Sequence, residues 1–168
     1  PPTGWGAVEI LIWDQKLALE KLGHKVEIVN TPSPTEIIKQ INNIRPDFVH
    51  IQYDDFIEIY PYIQYPCAIT SHFGYLEQPE RWDYYGDRIV KPFERIKPLI
   101  FCLSSGIRDV YRDKIGIPEE HLFVTPNGVN VDNFRFTISP EFPGRSIYLA
   151  KIDYRKRQHM FQSIRSLY

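Results

Sequence analysis

The 168-residue chain lacks net charge: 20 Lys and Arg face 21 Asp and Glu, for a formal balance of -1. A dominant nucleic-acid partner wants a basic face, so that class is set aside. No stretch reaches the roughly 18 consecutive apolar residues of a membrane-spanning helix. Cysteine is scarce too. Cys67 and Cys102 are too few for a disulfide scaffold, and neither has a second Cys or a His cluster at metal spacing beside it. Scarce cysteine points to a reducing, cytoplasmic compartment. Internal repeats and low-complexity tracts are also missing. What is present is ordinary for a folded protein, at 43% hydrophobic and 24% charged residues. That balance excludes a disordered chain, which needs low hydrophobicity and high net charge. Aromatics are plentiful at 14%, and there are 14 prolines.

The pattern along the chain alternates two periods. Val8, Leu11, Ile12, Gln15, Ala18, Leu19 and Leu22 fall at helical spacing, and Gly23 follows as a stop signal. Val26 to Val29 reads as a short strand. Thr35 is placed to cap a helix over 36–44, which Pro46 and Asp47 end. Apolar runs at 48–52, 67–71, 99–103 and 122–125 read as further strands, with a partly helical 79–96 and a Ser104-capped helix over 105–115 between them. Short apolar strands alternating with helices imply βαβ units around a buried parallel sheet, so the fold class is α/β, doubly wound. Residues 127–144 carry turn signals and little periodicity, and read as a linker. A new strand over 146–150 and a helix over 155–167 follow. From Arg145 onward six Lys or Arg accompany one acidic residue, a local +5.

Four segments could carry chemistry. Gly4 and Gly6 stand at the head of the first helix, where free N–H groups and the positive dipole end suit a phosphate or carboxylate; a plain glycine turn is the alternative. His72 closes the strand that begins at Cys67, and ligands of open α/β sheets bind outside the carboxyl ends of strands. It is either a hydrogen-bonding or proton-moving group there or an ordinary loop histidine. Pro126-Asn127-Gly128 is a turn signal on its own terms. Lys151 with Arg155, Lys156 and Arg157 opens a helix against its dipole, either as a solvated basic start or beside an anion.

The order of these segments resembles the GT-B retaining glycosyltransferases of family 4. Trp5-Gly6-Ala7-Val8-Glu9 is similar to the family's aromatic-Gly-Gly-x-Glu turn, and Lys21 to Val26 to its Gly-His approach to the second strand. Arg45-Pro46-Asp47-Phe48-Val49-His50 is similar to the family's Pro-Asp-Val-Val-His strand, and Ile69-Thr70-Ser71-His72 resembles the strand that ends in the active-site histidine. Leu103 to Arg108 is similar to the family's Ser-led helix. Ile117 to Phe134 carries a Pro-Asn-Gly-Val segment with a downstream Phe, the most specific part of the likeness. Tyr148 to Lys151 with Lys156 resembles the start of the second domain.

The resemblance implies two Rossmann-like domains, a nucleotide-sugar donor held mainly by the second, and a carbohydrate or lipid-linked acceptor held mainly by the first. It implies transfer with retention of anomeric configuration, without a metal or other cofactor; with no apolar run of spanning length no transmembrane segment is expected, peripheral membrane contact being compatible. Gly6 and Ala7 would then face the donor's phosphate or sugar, His72 would hydrogen-bond the sugar as the catalytic residue, and Lys151 and Lys156 would steady the diphosphate. Four positions differ from the pattern: Ala7 and Ala150 stand for glycine, Lys151 for arginine, and Arg157 for glycine. On this reading residues 1–136 form the acceptor-side domain and 137–168 the linker and first strand and helix of a donor-side domain. The chain is expected to be a fragment without its leading strand or most of its second domain, and inactive alone. A catalytically inactive carbohydrate- or glycolipid-binding module on the same fold is the alternative, drawing on Tyr75, Trp82, Tyr84 and Tyr85 with Arg81 and Arg88, as rings suit sugars. A sugar-nucleotide epimerase of the same architecture is a third reading.

Overall fold

The computed structural model describes residues 6–72, 82–133, 138–139, 141–144, 146–147, 158–161 and 166–167. The chain divides into two compact units, Pro1–Val129 and Asn130–Tyr168.

The first unit is built on four short parallel strands in sequential order: β1 (Val49–Ile51), β2 (Cys67–Ile69), β3 (Ile100–Cys102) and β4 (Leu122–Val124). All four lie inside the apolar runs of the sequence, and the α/β class read from them is the class found. Register sets Ile51 beside Ile69, Ile69 beside Ile100 and Ile100 beside Leu122, one apolar row across the sheet. Parallel strands in sequential order, joined by right-handed crossovers, place every connection on the same face. The core shows this. Ile57 from a 3₁₀ helix (Asp54–Tyr62), Phe93 from α4 (Lys91–Ile96), and Tyr111 and Ile115 from α5 (Ser105–Ile115) all pack with that row. Helix α2 (Pro34–Ile44) adds Ile37 and Ile41. Phe93 and Tyr111 are fully buried, with ring centroids 5.3 Å apart.

The opposite face carries the alternate residues of the strands. Phe48, Phe101 and Phe123 form an aromatic row with centroid spacings of 6.1 and 6.3 Å. Phe48 and Phe123 remain exposed. Gln15 of helix α1 (Ala7–Lys21) bonds to Gln52, the residue after β1, and none of the helix's residues is fully buried. Its apolar spacing therefore marks a helix without sealing it into the core.

Helix ends follow local chemistry. Ser104 Oγ accepts the Ile107 N–H at 3.1 Å and caps α5, and Gly116 closes that helix at φ +74°. The cap of α2 is Ser33 rather than Thr35, its Oγ accepting from Glu36 N at 3.4 Å. Pro34 explains the shift, because its fixed φ and missing N–H suit the first helical position.

Two further sequence expectations need correction, and one element was not foreseen. Residues 26–29 form no strand and belong to no sheet; the Val26 carbonyl accepts from Lys16 Nζ at 2.6 Å instead of from a neighbouring strand. The Asp54–Tyr62 helix was not expected, and it forms the β1–β2 crossover together with its own Pro61. In the second unit, the helix expected over 155–167 is at its described residues a 3₁₀ turn (Gln158–Phe161) and a strand β6 (Ser166–Leu167), which pairs in parallel with β5 (Ser146–Ile147). Three basic residues at the expected helix start oppose the helix dipole. Helices α3 (Trp82–Tyr85) and α4 flank a π-helical turn at Gly86–Val90, within the region read as partly helical.

Candidate functional site

Polar side chains gather where β1 and β2 end. The alternation of β1 puts His50 and Gln52 on the face away from the core row, and the Thr70 N–H donates to the Ile51 carbonyl at 2.8 Å, drawing the two strand ends together. His50 Nε2 then meets Thr70 Oγ1 at 2.8 Å, and Gln52 Nε2 meets His50 Nδ1 at 3.0 Å. The same Gln52 nitrogen donates to Gln15 Oε1 of α1 at 2.8 Å, while its carbonyl oxygen lies 2.8 Å from His72 Nε2. One amide thus touches two histidines and the first helix.

Burial keeps both rings neutral. It pulls the His50 pKa down to about 4, helped by the nearby His72. His72 is also lowered, chiefly by burial, with the Asp54 carboxylate pulling the other way. The His50 ring packs edge-on against Phe101 at 5.0 Å.

A second cluster lies beneath. Asp54, 1% exposed, accepts from Ser71 Oγ at 2.6 Å. The Tyr111 phenol is pushed well above its usual pKa by burial and then by the Asp54 charge. A buried carboxylate needs hydrogen bonds to stay charged. Ser71 supplies one, so the residue before His72 is tied to the residue that starts the 3₁₀ helix. His72 is held from both sides, through Gln52 just after β1 and through Ser71 on the buried carboxylate.

The two cysteines lie in β2 and β3, buried and unbridged. Burial pushes their thiols up to about 12 for Cys67 and about 11 for Cys102, so neither serves as a nucleophile at neutral pH. A shallow groove between Glu58, Lys91 and Arg95 lies away from His72. Its cations are already paired, Arg95 with Glu58 at 2.6 Å and Lys91 with Asp87.

A family model described as Glycosyltransferase Family 4 matches residues 32–133, more than half of the chain. The chain belongs to glycosyltransferase family 4. Comparison with curated proteins and with solved structures gave no match. The family 4 match makes this a glycosyltransferase-type domain, a transferase whose substrates include sugars. It spans all four strands of the sheet and contains His50, Gln52, Asp54, Thr70, Ser71 and His72. Among the described residues no helix is long and apolar enough to cross a membrane.

Of the site residues read from sequence in this family 4 chain, His72 stands in the network just described. Gly6 caps α1 with φ -79°, an ordinary value for any residue, so positive φ is not why glycine is there. A Cβ at Gly6 would come within 2.7 Å of Glu9 Oε2, a flexible side-chain end. Gly6 and Ala7 are exposed at the head of α1. No hydrogen bond among the described residues joins them to His72; the helix reaches the network through Gln15, about 12 Å further along its axis at 1.5 Å per residue. Lys151 and Lys156 lie outside the described residues, as do Gly4, Tyr75, Arg81, Phe134, Ala150 and Arg157. Trp82 packs against the core, and Arg88 is paired with Asp55 at 2.6 Å. The side chains of Tyr84 and Tyr85 lie outside the described residues. His50, Gln52 and Asp54 went unrecognised as site residues in the sequence. The signal was there: two polar residues two apart, interrupting the end of an otherwise apolar buried strand.

Proposed function

We propose that this family 4 domain takes part in transferring a sugar from a nucleotide-sugar donor to a carbohydrate or lipid-linked acceptor, with retention of anomeric configuration and without a metal ion. The carrying observation is a neutral histidine, His72, held by hydrogen bonds on the carboxyl side of β1 and β2 inside a family 4 match. That side is where open α/β sheets take their ligands. A neutral imidazole suits a sugar hydroxyl, because one ring nitrogen keeps a lone pair that can accept the hydroxyl hydrogen.

The wider architecture belongs to the same proposal. The matched region is read as the acceptor-side half of a GT-B enzyme, with the basic end of the chain serving the donor. Negative charge develops on the departing diphosphate, and fixed cations or a helix N-terminus aimed at it lower the barrier. Lys151 and Lys156 are the cations assigned to that task, and Gly6 and Ala7 the helix-head residues.

The test is titration of the protein at its full natural length with UDP-, GDP- and ADP-sugars, followed by calorimetry and by product analysis in EDTA. Binding of one donor and transfer in EDTA are the expected results. No heat with any donor and no transfer overturn the reading. Lys156→Ala is expected to reduce turnover far more than thermal stability. Equal loss of both makes Lys156 a structural residue.

A further inference from the structure

We propose that Gln52 is a positioning residue that sets which nitrogen of His72 carries the proton and ties that choice to the proton on His50. A carboxamide has two unlike ends, and here both are engaged. The oxygen accepts from His72 Nε2 at 2.8 Å, and the nitrogen faces Gln15 Oε1 at 2.8 Å and His50 Nδ1 at 3.0 Å. His72 is therefore protonated on Nε2. His50 Nδ1 is an acceptor, so His50 is also protonated on Nε2 and donates to Thr70 Oγ1 at 2.8 Å.

Turning the amide over would reverse the whole chain. His72 Nε2 would have to accept, and His50 would have to carry its proton on Nδ1. The two orientations are not equivalent. As found, both amide hydrogens have acceptors and the carbonyl has a donor. Reversed, the carbonyl would take two donors and the nitrogen would keep one hydrogen with no acceptor, a loss when the group is half-buried. The depressed basicity of both rings keeps each of them neutral at physiological pH, so each holds one N–H and one lone pair.

The consequence concerns the ligand and rests on the transferase reading. Among the described residues nothing engages His72 Nδ1. With Nε2–H committed to Gln52, the nitrogen left over is an acceptor. An acceptor takes the hydrogen of a hydroxyl and turns away a phosphate oxygen. The geometry thus directs His72 to a hydroxyl of a sugar and not to the diphosphate.

The test needs no substrate, so it stands or falls separately from transferase activity. Long-range ¹H–¹⁵N correlation at a pH above both titrations reads each ring's protonated nitrogen. The wild-type protein is expected to show Nε2–H for both His50 and His72. Gln52→Glu gives His50 an acceptor in place of a donor, so His50 is expected to switch to Nδ1–H while His72 stays Nε2–H. Nδ1–H on His72 in the wild type, or a His50 that keeps Nε2–H in Gln52→Glu, overturns the proposal. If Gln52→Glu does not fold, Gln52→Met decides. Movement of both rings toward the averaged solution value supports the proposal, and unchanged ¹⁵N shifts refute it.

Discussion

Acidification should weaken the first unit through His50, and the size of the effect follows from its surroundings. The ring is charged at pH values below 6.5 when unfolded and only below about 4 when folded. Between those values the unfolded state binds more protons, so stability is complete above the unfolded pKa and falls as pH drops toward the folded one. Integrating that difference from about pH 7.5 to about pH 5 gives a loss of about 2 kcal/mol, rising to about 3 kcal/mol near pH 4. His72 moves in the same direction, so a wild-type profile alone would mix the two. Asp87 and Asp113 are held below 3.8 by Lys91 and Arg112 respectively, and their contributions fade only at lower pH. The comparison is therefore between wild type and His50→Gln, which removes the titration and keeps a hydrogen-bonding side chain. Urea unfolding followed by tryptophan fluorescence reports the first unit, because Trp5, Trp13 and Trp82 all belong to it. His50→Gln should start less stable, and its deficit should shrink by about 2 kcal/mol on going to about pH 5. Parallel profiles for the two proteins refute the reasoning, as does a His50 ring proton that titrates near its ordinary value.

Two further expectations concern stability alone. Lys97 closes α4 in the left-handed region at φ 51°, where a side chain is strained, so Lys97→Gly should stabilise the unit by about 1 kcal/mol in thermal melting. An unchanged or lowered melting temperature would show that the stem of Lys97 contributes more than its strain removes. Phe93→Ala empties a fully buried site against Tyr111 and should destabilise by about 3–5 kcal/mol in urea. A loss below about 1 kcal/mol would mean that the neighbouring helices collapse onto the cavity.

The sheet was legible because its strands are buried on the core side and read as apolar runs; β3 and β4 lie within the expected stretches to a residue or two. Ser104 was legible because capping is local chemistry. The stretch at 26–29 has the same apolar character as β1, yet pairing is decided by a neighbouring edge and not by the segment itself. The Asp54–Tyr62 helix hid behind Pro61 and its β-branched and aromatic residues, which read against helix formation, and a 3₁₀ run of nine residues is longer than local propensity leads one to expect. At the site, His72 could be found from its place after a strand. Its dependence on Gln52 could not, since that bond joins residues 20 apart in sequence and exists only once β1 and β2 are side by side.

The paired strands β2 and β3 each hold one of the protein's two thiols, at 6% and 0% exposure. Neither can meet a reagent without the sheet parting locally, and neither is ionised to any useful degree while it stays shut. The native protein therefore carries two silent chemical clocks at its centre. Their labelling rates count how often the middle of the sheet opens, and a cysteine introduced elsewhere on the surface would take up a probe against a dark background.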